Sequence, residues 1–293
     1  MSIILEVLSI VAPVFVLASI GFTWVKVGWA FDLQFVTRIA MSLSIPCLIF
    51  MALMRAQIEP QALQALVVAT LVAYGLVAIA MLLFVLVTRL DIRTYLAPLI
   101  FGNTGNVGLP VALFAYGQEG LALAVVVFAV MALLSFTIGV WLVSGGGNPF
   151  RALKEPMVGA TFMGGLFLYQ GWRLPVWAEN TLDLIGQMGI PLMLITLGVA
   201  IAQLKPQGVT RGVILSVIKL AVCVAAPAWA AFYFGLSDMA TGVLILQVAM
   251  PIAVTSYMLA EKYKAKSEEV AGMVVVSTLL AVFAIPAILS AVV

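Results

Sequence analysis

Apolar runs of about twenty residues recur along the chain, parted by short clusters of charged and polar residues, and about twenty apolar residues make a helix that spans the hydrocarbon core of a bilayer. Cutting the chain at those clusters predicts ten membrane helices, over about residues 3–25, 33–54, 61–88, 94–116, 119–143, 155–171, 181–203, 209–234, 239–260 and 268–291. The connections are brief. One, Ser144-Gly145-Gly146-Gly147-Asn148-Pro149, has the composition of a flexible linker and lies almost at mid-chain.

One predicted helix is interrupted. Gly102-Asn103-Thr104-Gly105-Asn106-Val107-Gly108-Leu109-Pro110 places three glycines, two asparagines, a threonine and a proline inside an apolar segment. Glycine costs a helix interior about 1 kcal/mol against alanine and proline about 3 kcal/mol. In lipid, the backbone freed by such a break must be satisfied by protein or by a wet cavity. A break at mid-depth is therefore either a proline kink packed on its neighbours or the wall of a site. A kink alone needs no pair of asparagines, which favours the site.

The linker's position invites a comparison of the two halves. Ser44-Ile45-Pro46-Cys47-Leu48-Ile49 resembles Gly189-Ile190-Pro191-Leu192-Met193-Leu194, with Pro46 and Pro191 145 residues apart. Gly108-Leu109-Pro110-Val111-Ala112 resembles Ala249-Met250-Pro251-Ile252-Ala253, with Pro110 and Pro251 141 residues apart. Two matches in the same order at nearly one offset predict a repeat: residues 1–143, a linker at 144–151, and residues 152–293. Five helices is an odd number, so the second repeat enters the membrane from the opposite side. The expected fold is all-α and polytopic, two inverted five-helix repeats with broken helices 4 and 9.

Composition agrees: 65% of the 293 residues are hydrophobic and 9% charged, with a mean hydropathy of +1.23, where a soluble domain is about 25% charged. No sizeable soluble domain is expected. Nor is a cleavable leader, because Glu6 interrupts the first apolar run and no basic region precedes it. Lys26, Arg38, Arg89, Arg93, Arg151, Lys154, Lys205, Arg211, Lys262, Lys264 and Lys266 fall in one set of loops; Arg55 and Arg173 fall in the other. This bias predicts that the first set is cytoplasmic and both termini are outside. Trp24, Trp29, Trp141, Trp172 and Trp177 lie near predicted helix ends, as an interfacial belt would. Cys47 and Cys223 sit in apolar runs and read as small buried hydrophobes. The chain has no histidine, which excludes histidine-ligated metals, histidine proton relays and serine–histidine triads. With no carboxylate dyad evident and no nucleotide-binding motif, an intramembrane enzyme and a directly ATP-driven pump are both disfavoured. No metal, cofactor or nucleic-acid partner is expected.

Asn103-Thr104 followed by Gly108-Leu109-Pro110, the Ile45-Pro46 pair, and Gln247-Val248-Ala249-Met250-Pro251 leading to Ala260-Glu261-Lys262-Tyr263 resemble the auxin efflux carrier family, the plant PIN carriers and their bacterial relatives. The resemblance covers essentially the whole chain, with a short linker in place of the long cytosolic loop of the plant carriers. It implies the PIN-like, bile-acid-transporter-like fold in a bacterial cell membrane. It implies a scaffold of helices 1, 2, 6 and 7 and a transport domain of helices 3–5 and 8–10. It also implies a crossing of helices 4 and 9 at their prolines, a homodimer, and an elevator movement carrying small carboxylates such as malonate, malate or auxin-like acids.

The residues themselves support an anion site. The N-terminal ends exposed by two broken helices carry free N–H groups and about half a positive charge each, and would hold an anion without a buried cation. Asn103, Asn106 and Thr104 would add donors beside Pro110; Gln247, Thr255 and Ser256 are their counterparts beside Pro251. Each could instead satisfy backbone groups freed by the break. Ser42, Ser44, Gln187 and Thr196, near Pro46 and Pro191, would complete the wall or bond to their own helices. Lys219 lies eight residues beyond Arg211, about 12 Å deeper on a helix. It either balances substrate charge or takes the place of a coupling cation, or it snorkels back to the interface. A secondary carrier of organic anions is the expected function, with an anion channel or a sodium-coupled symporter of the same fold as alternatives.

Overall fold

The computed structural model describes residues 3–56, 58–146 and 156–292, without the side chains of residues 3–9 and Pro60. Gly147, Asn148 and Pro149 of the expected linker, Arg151, Lys154 and the side chain of Glu6 lie outside the described residues. Among the described residues all regular structure is helical.

Helix α1 (Ile3–Lys26) is followed by α2 (Leu33–Ile39), which passes through a π-helical turn at Ala40–Ser44 into α3 (Ile45–Arg55). Next come α4 (Pro60–Val87) and α5 (Ile92–Ile100). A second π-helical turn, Thr104–Gly108, opens α6 (Leu109–Leu134), and a third, Ser135–Gly139, joins α6 to α7 (Val140–Ser144). The second half comprises α8 (Pro156–Gln170), α9 (Val176–Gln187), α10 (Gly189–Gln203), α11 (Val209–Tyr233), α12 (Asp238–Val248), α13 (Val254–Lys262) and α14 (Ser267–Val292). Among the described residues six stretches are long and apolar enough to cross a membrane. The protein is a multi-pass membrane protein.

Local chemistry explains many of the ends. The Asp32 carboxylate caps α2 by accepting from the Phe35 N–H at 2.9 Å, and Asp91 caps α5 by accepting from the Thr94 N–H at 3.1 Å. Gly145 closes α7 in the left-handed conformation, at φ 71°. Within α6, Gly117 adopts φ 65° and ψ −154°, so the chain turns there and α6 is two helices in all but name. That turn falls between the predicted helices ending at 116 and starting at 119. Three departures from the predicted pattern stand out. The π-helical turns at 40–44 and 135–139 were not foreseen, and the helix expected over 181–203 starts at Val176 and is interrupted at Met188.

Polar contacts sort the loops into two ends. At one, the Lys26 ammonium donates to the Ala202 carbonyl at 3.2 Å, Arg93 donates to the carbonyls of Val143 and Tyr263, and Arg211 pairs with Glu269 at 2.9 Å. At the other, Arg55 pairs with Asp183 at 3.0 Å and Glu179 at 3.6 Å, and the Tyr116 hydroxyl donates to the Val292 carbonyl. The first end gathers the loops richest in lysine and arginine. Cys47 and Cys223 are both free thiols.

Glycines set the closest helix contacts. A Cβ on Gly198 would stand 1.7 Å from the Ala18 carbonyl oxygen, and one on Gly21 would stand 2.0 Å from that of Ile195. Helices α1 and α10 thus touch backbone to backbone, as small residues permit in membranes. Gly198→Ala should cost about 1–3 kcal/mol, because backbone cannot yield as a side chain can. The melting temperature in detergent should fall by several degrees, whereas Gly75→Ala, with nothing within 4 Å of its Cβ, should leave it unchanged.

Candidate functional site: a crossover of two interrupted helices

Helix α5 stops at Ile100 and α12 stops at Val248, both inside the protein. The residues that follow run extended and meet. Gly102 and Ile252 form an antiparallel bridge, and the Asn103 N–H donates to the Pro251 carbonyl at 2.6 Å. The meeting requires glycine: a Cβ on Gly102 would lie 2.7 Å from the Met250 carbonyl oxygen, and one on Gly108 would lie 2.3 Å from Gln247 Oε1. Beyond the bridge each chain re-enters a helix. Pro110 lies two residues after the π-helical turn Thr104–Gly108, which runs straight into α6. Pro251 lies in the extended stretch before α13. The Ile252 N–H is taken up by the Ser277 hydroxyl at 3.0 Å.

Four helix ends therefore come together within the protein. The C-terminal ends of α5 and α12 present carbonyls. The ends that start at Thr104 and Val254 present N–H groups with no acceptor inside their own helices. Facing them is an inner cavity of about 70 Å³, several times the space one water needs. Asn103, Asn106, Thr255 and Ser256 line it, among apolar residues that include Met41, Phe128 and Met131. Among the described residues no charged side chain does. The fixed charge on offer is that of the helix N-termini, which favours an anion.

Several amides and hydroxyls at the crossover have no partner. Asn103 is 5% exposed with Nδ2 unsatisfied; Thr104 and Gln247 are fully buried with Thr104 Oγ1 and both polar atoms of Gln247 unsatisfied. Buried polar atoms are satisfied nine times in ten; of these unpartnered groups, the Asn103 amide is the one at the cavity wall.

The other expected site residues fall elsewhere. Thr104, Pro110 and Gln247 sit one layer behind the cavity wall, in the core of the crossover. Pro251 faces a separate small cavity beside Lys219. Pro46 and Pro191 lie in the first turns of α3 and α10 and do not line the inner cavity. Thr196 donates to the Leu192 and Met193 carbonyls of its own helix, Ser42 and Gln187 are exposed, and Ser44 is buried and unpartnered. Lys219 does not snorkel: it is 2% exposed and donates to the Met250 carbonyl at 3.0 Å. Most of the apolar wall was not anticipated, and neither were Met41 and Ser135, each inside a π-helical turn. The polar Ser135-Phe136-Thr137 step in an apolar run was the available signal for one of those turns.

Met41 also lines a second, open cavity of about 860 Å³ at the basic-rich end, whose wall includes Asp32, Arg38, Tyr257, Glu261 and Lys262. The inner cavity thus lies one side chain away from a charged vestibule.

A family model described as membrane transport protein matches residues 148–289, the half that contains Lys219 and the Gln247–Pro251 break. Over that stretch the chain is similar to the membrane transport protein family, the auxin efflux carriers that the crossover residues also resemble. The chain is also similar to an uncharacterized transporter of Methanocaldococcus jannaschii, 27% identical over 192 residues, which are 61% of this chain and 61% of that protein. An uncharacterized transporter of Methanothermobacter thermautotrophicus is 26% identical over 191 residues, 63% of each chain. The chain thus spans about three fifths of the length of these two relatives.

Proposed function

We propose that this protein is a secondary carrier of small organic anions and that the substrate's carboxylate sits in the inner cavity, between the helix ends that follow the two breaks. The observation that carries this reading is the crossover itself: two interrupted helices bridged at Gly102 and Ile252, with N-terminal helix ends and the unsatisfied buried amide of Asn103 at an uncharged cavity. The family-model match over residues 148–289 and the names of the two relatives support transport in general. The carboxylate class rests on the helix dipoles and on the resemblance.

The reading extends to how the molecule works. The two halves are inverted five-helix repeats, and the basic-rich end, with its vestibule, faces the cytoplasm, leaving both termini outside. A scaffold of α1, α2–α3, α8 and α9–α10 holds a mobile body of α4–α7 and α11–α14 that moves as an elevator, and two copies associate through the scaffold. Supporting this division, the glycine contacts closer than 3.4 Å fall within one body or the other, apart from Gly272 of α14, which meets Gln207 in the connection between α10 and α11. Gly21 and Gly198 join α1 to α10, Gly164 joins α8 to α3, and Gly186 and Gly189 join the α9–α10 region to the α2–α3 segment. Gly102, Gly108 and Gly242 join the mobile elements among themselves. Across the divide the nearest approach of this kind is Gly105 to the flexible end of Met193, at 3.5 Å.

Calorimetry tests the anion site. A small mono- or dicarboxylate should bind, and its neutral amide analogue should bind at least tenfold more weakly, about 1.4 kcal/mol, because the helix ends reward negative charge. Equal affinity for acid and amide would remove the basis for the model.

A further inference from the structure

Lysine is rare inside membrane helices and is kept there for function. Lys219, on α11, is 2% exposed. Its ammonium donates to the Met250 carbonyl at 3.0 Å and to Cys223 Sγ at 3.6 Å. Among the described residues no carboxylate lies within 4 Å of it. What it meets instead is the end of α12, whose terminal carbonyls carry about half a negative charge.

Beside the ammonium is a cavity of about 20 Å³, lined by Ser216, Ala249, Pro251 and Ser277 among others, large enough for one water. Ser216 is 3% exposed and its hydroxyl has no hydrogen-bond partner. The Met250 carbonyl, two hydroxyls and a water-sized space beside one positive charge resemble the oxygen set with which interrupted membrane helices hold a monovalent ion. The same extended stretch, residues 249–253, faces both ways: Met250 bonds to the lysine, while the Pro251 carbonyl holds the Asn103 N–H.

We propose that the Lys219 ammonium is a tethered substitute for a coupling cation, filling a monovalent-cation site at the C-terminal end of α12 and so freeing the crossover from any need for an inorganic ion. The positive charge that keeps the Met250–Ile252 stretch in place for the anion is covalently part of the chain. Removing the ammonium while leaving the space open recreates a site for an alkali cation.

The test compares wild type with Lys219→Ser, which opens the space and adds an oxygen, and Lys219→Met, which removes the charge but fills the space. Melting temperatures are read at constant ionic strength in choline, potassium, sodium and lithium chlorides. Wild type should melt at one temperature in all four. Lys219→Ser should melt on the order of 5 °C or more lower in choline and regain at least half of that loss in one of the alkali salts. Lys219→Met should be lowered in every salt alike. If Lys219→Ser cannot be purified in choline, recovery of folded protein in an alkali salt supports the proposal and failure in all four overturns it. It is also overturned if Lys219→Ser melts with wild type in choline, if no alkali salt restores it, if Lys219→Met is restored equally, or if wild type itself is stabilised selectively by one cation. A second arm rests on the carrier reading: wild type should bind the carboxylate with the same affinity in choline and in sodium. Loss of carboxylate binding in every salt, with the melting pattern intact, would refute the anion site and leave the tethered cation standing.

Discussion

Asn103→Ala should weaken carboxylate binding by roughly ten- to a hundredfold while leaving the melting temperature unchanged or slightly raised. The size follows from a charge-assisted hydrogen bond, worth about 1.5–3 kcal/mol, with tenfold in affinity for each 1.4 kcal/mol. The absence of a stability penalty is the less obvious half. A buried asparagine normally secures its neighbours, and its loss costs the fold. Here the side chain is 5% exposed and its amide nitrogen has no partner, so the substrate-free protein gains nothing from it. The crossover is held instead by the backbone bond from the Asn103 N–H to Pro251, which alanine keeps. Asn106→Ala, at a half-buried position on the same wall, should show a smaller loss because water competes there. Calorimetry and melting on the same samples decide between the roles. A variant that melts well below wild type yet binds the carboxylate normally would make Asn103 a structural residue.

Gly102→Ala should abolish transport and lower the melting temperature together. The added methyl would lie 2.7 Å from the Met250 carbonyl oxygen and 3.2 Å from the Met250 carbonyl carbon. Neither atom belongs to a side chain that can swing aside, so the two extended stretches must separate. Separation would lengthen the bond between Asn103 and Pro251 and shift the carbonyl that Lys219 holds. The cost should be at the upper end of the roughly 1–3 kcal/mol seen for overpacking. Gly105→Ala is the matched control. Its methyl would meet the Phe128 ring at 3.1 Å and the Met193 terminal methyl at 3.5 Å, both of which can shift. Counterflow measured in proteoliposomes should be lost in the first variant and retained in the second. Retention in both would mean that the close approach at Gly102 is dispensable.

The interruptions of the chain were legible because their causes are local. Glycine, asparagine and proline at 102–110 and the Ala249–Ala253 stretch oppose helix wherever they occur, and the helices stop there. The depth of Lys219 was legible too, since eight residues of helix fix a rise. Its partner was not: Met250 lies 31 residues along the chain, and the periodicity of one helix carries no record of what another places beside it. The π-helical turns at 40–44 and 135–139 were hidden for a related reason. One extra residue in a turn leaves an apolar run apolar, and only its register changes. Proline gave a mixed signal. It announced a break at Pro251, whereas at Pro46 the chain stays helical through the preceding π-helical turn and at Pro191 it follows only the brief interruption at Met188.

The separation of glycine contacts into two sets has a consequence for how rough the path between conformations is. Where backbone meets backbone, as at Gly198 and Ala18, displacement along the helix runs ridge into ridge. Such a contact has one good register. Around the inner cavity and its nearest neighbours the two bodies meet instead through Met41, Met157 and Met193 on one side and Met131 with the Phe128 ring on the other. Unbranched thioethers have many rotamers of similar energy and refill gaps as their surroundings change. A surface of this kind offers a succession of nearly equal registers, so the proposed elevator movement would meet low friction between its two bodies and high friction within each. Replacing those methionines with β-branched residues would roughen that surface without touching a single polar atom.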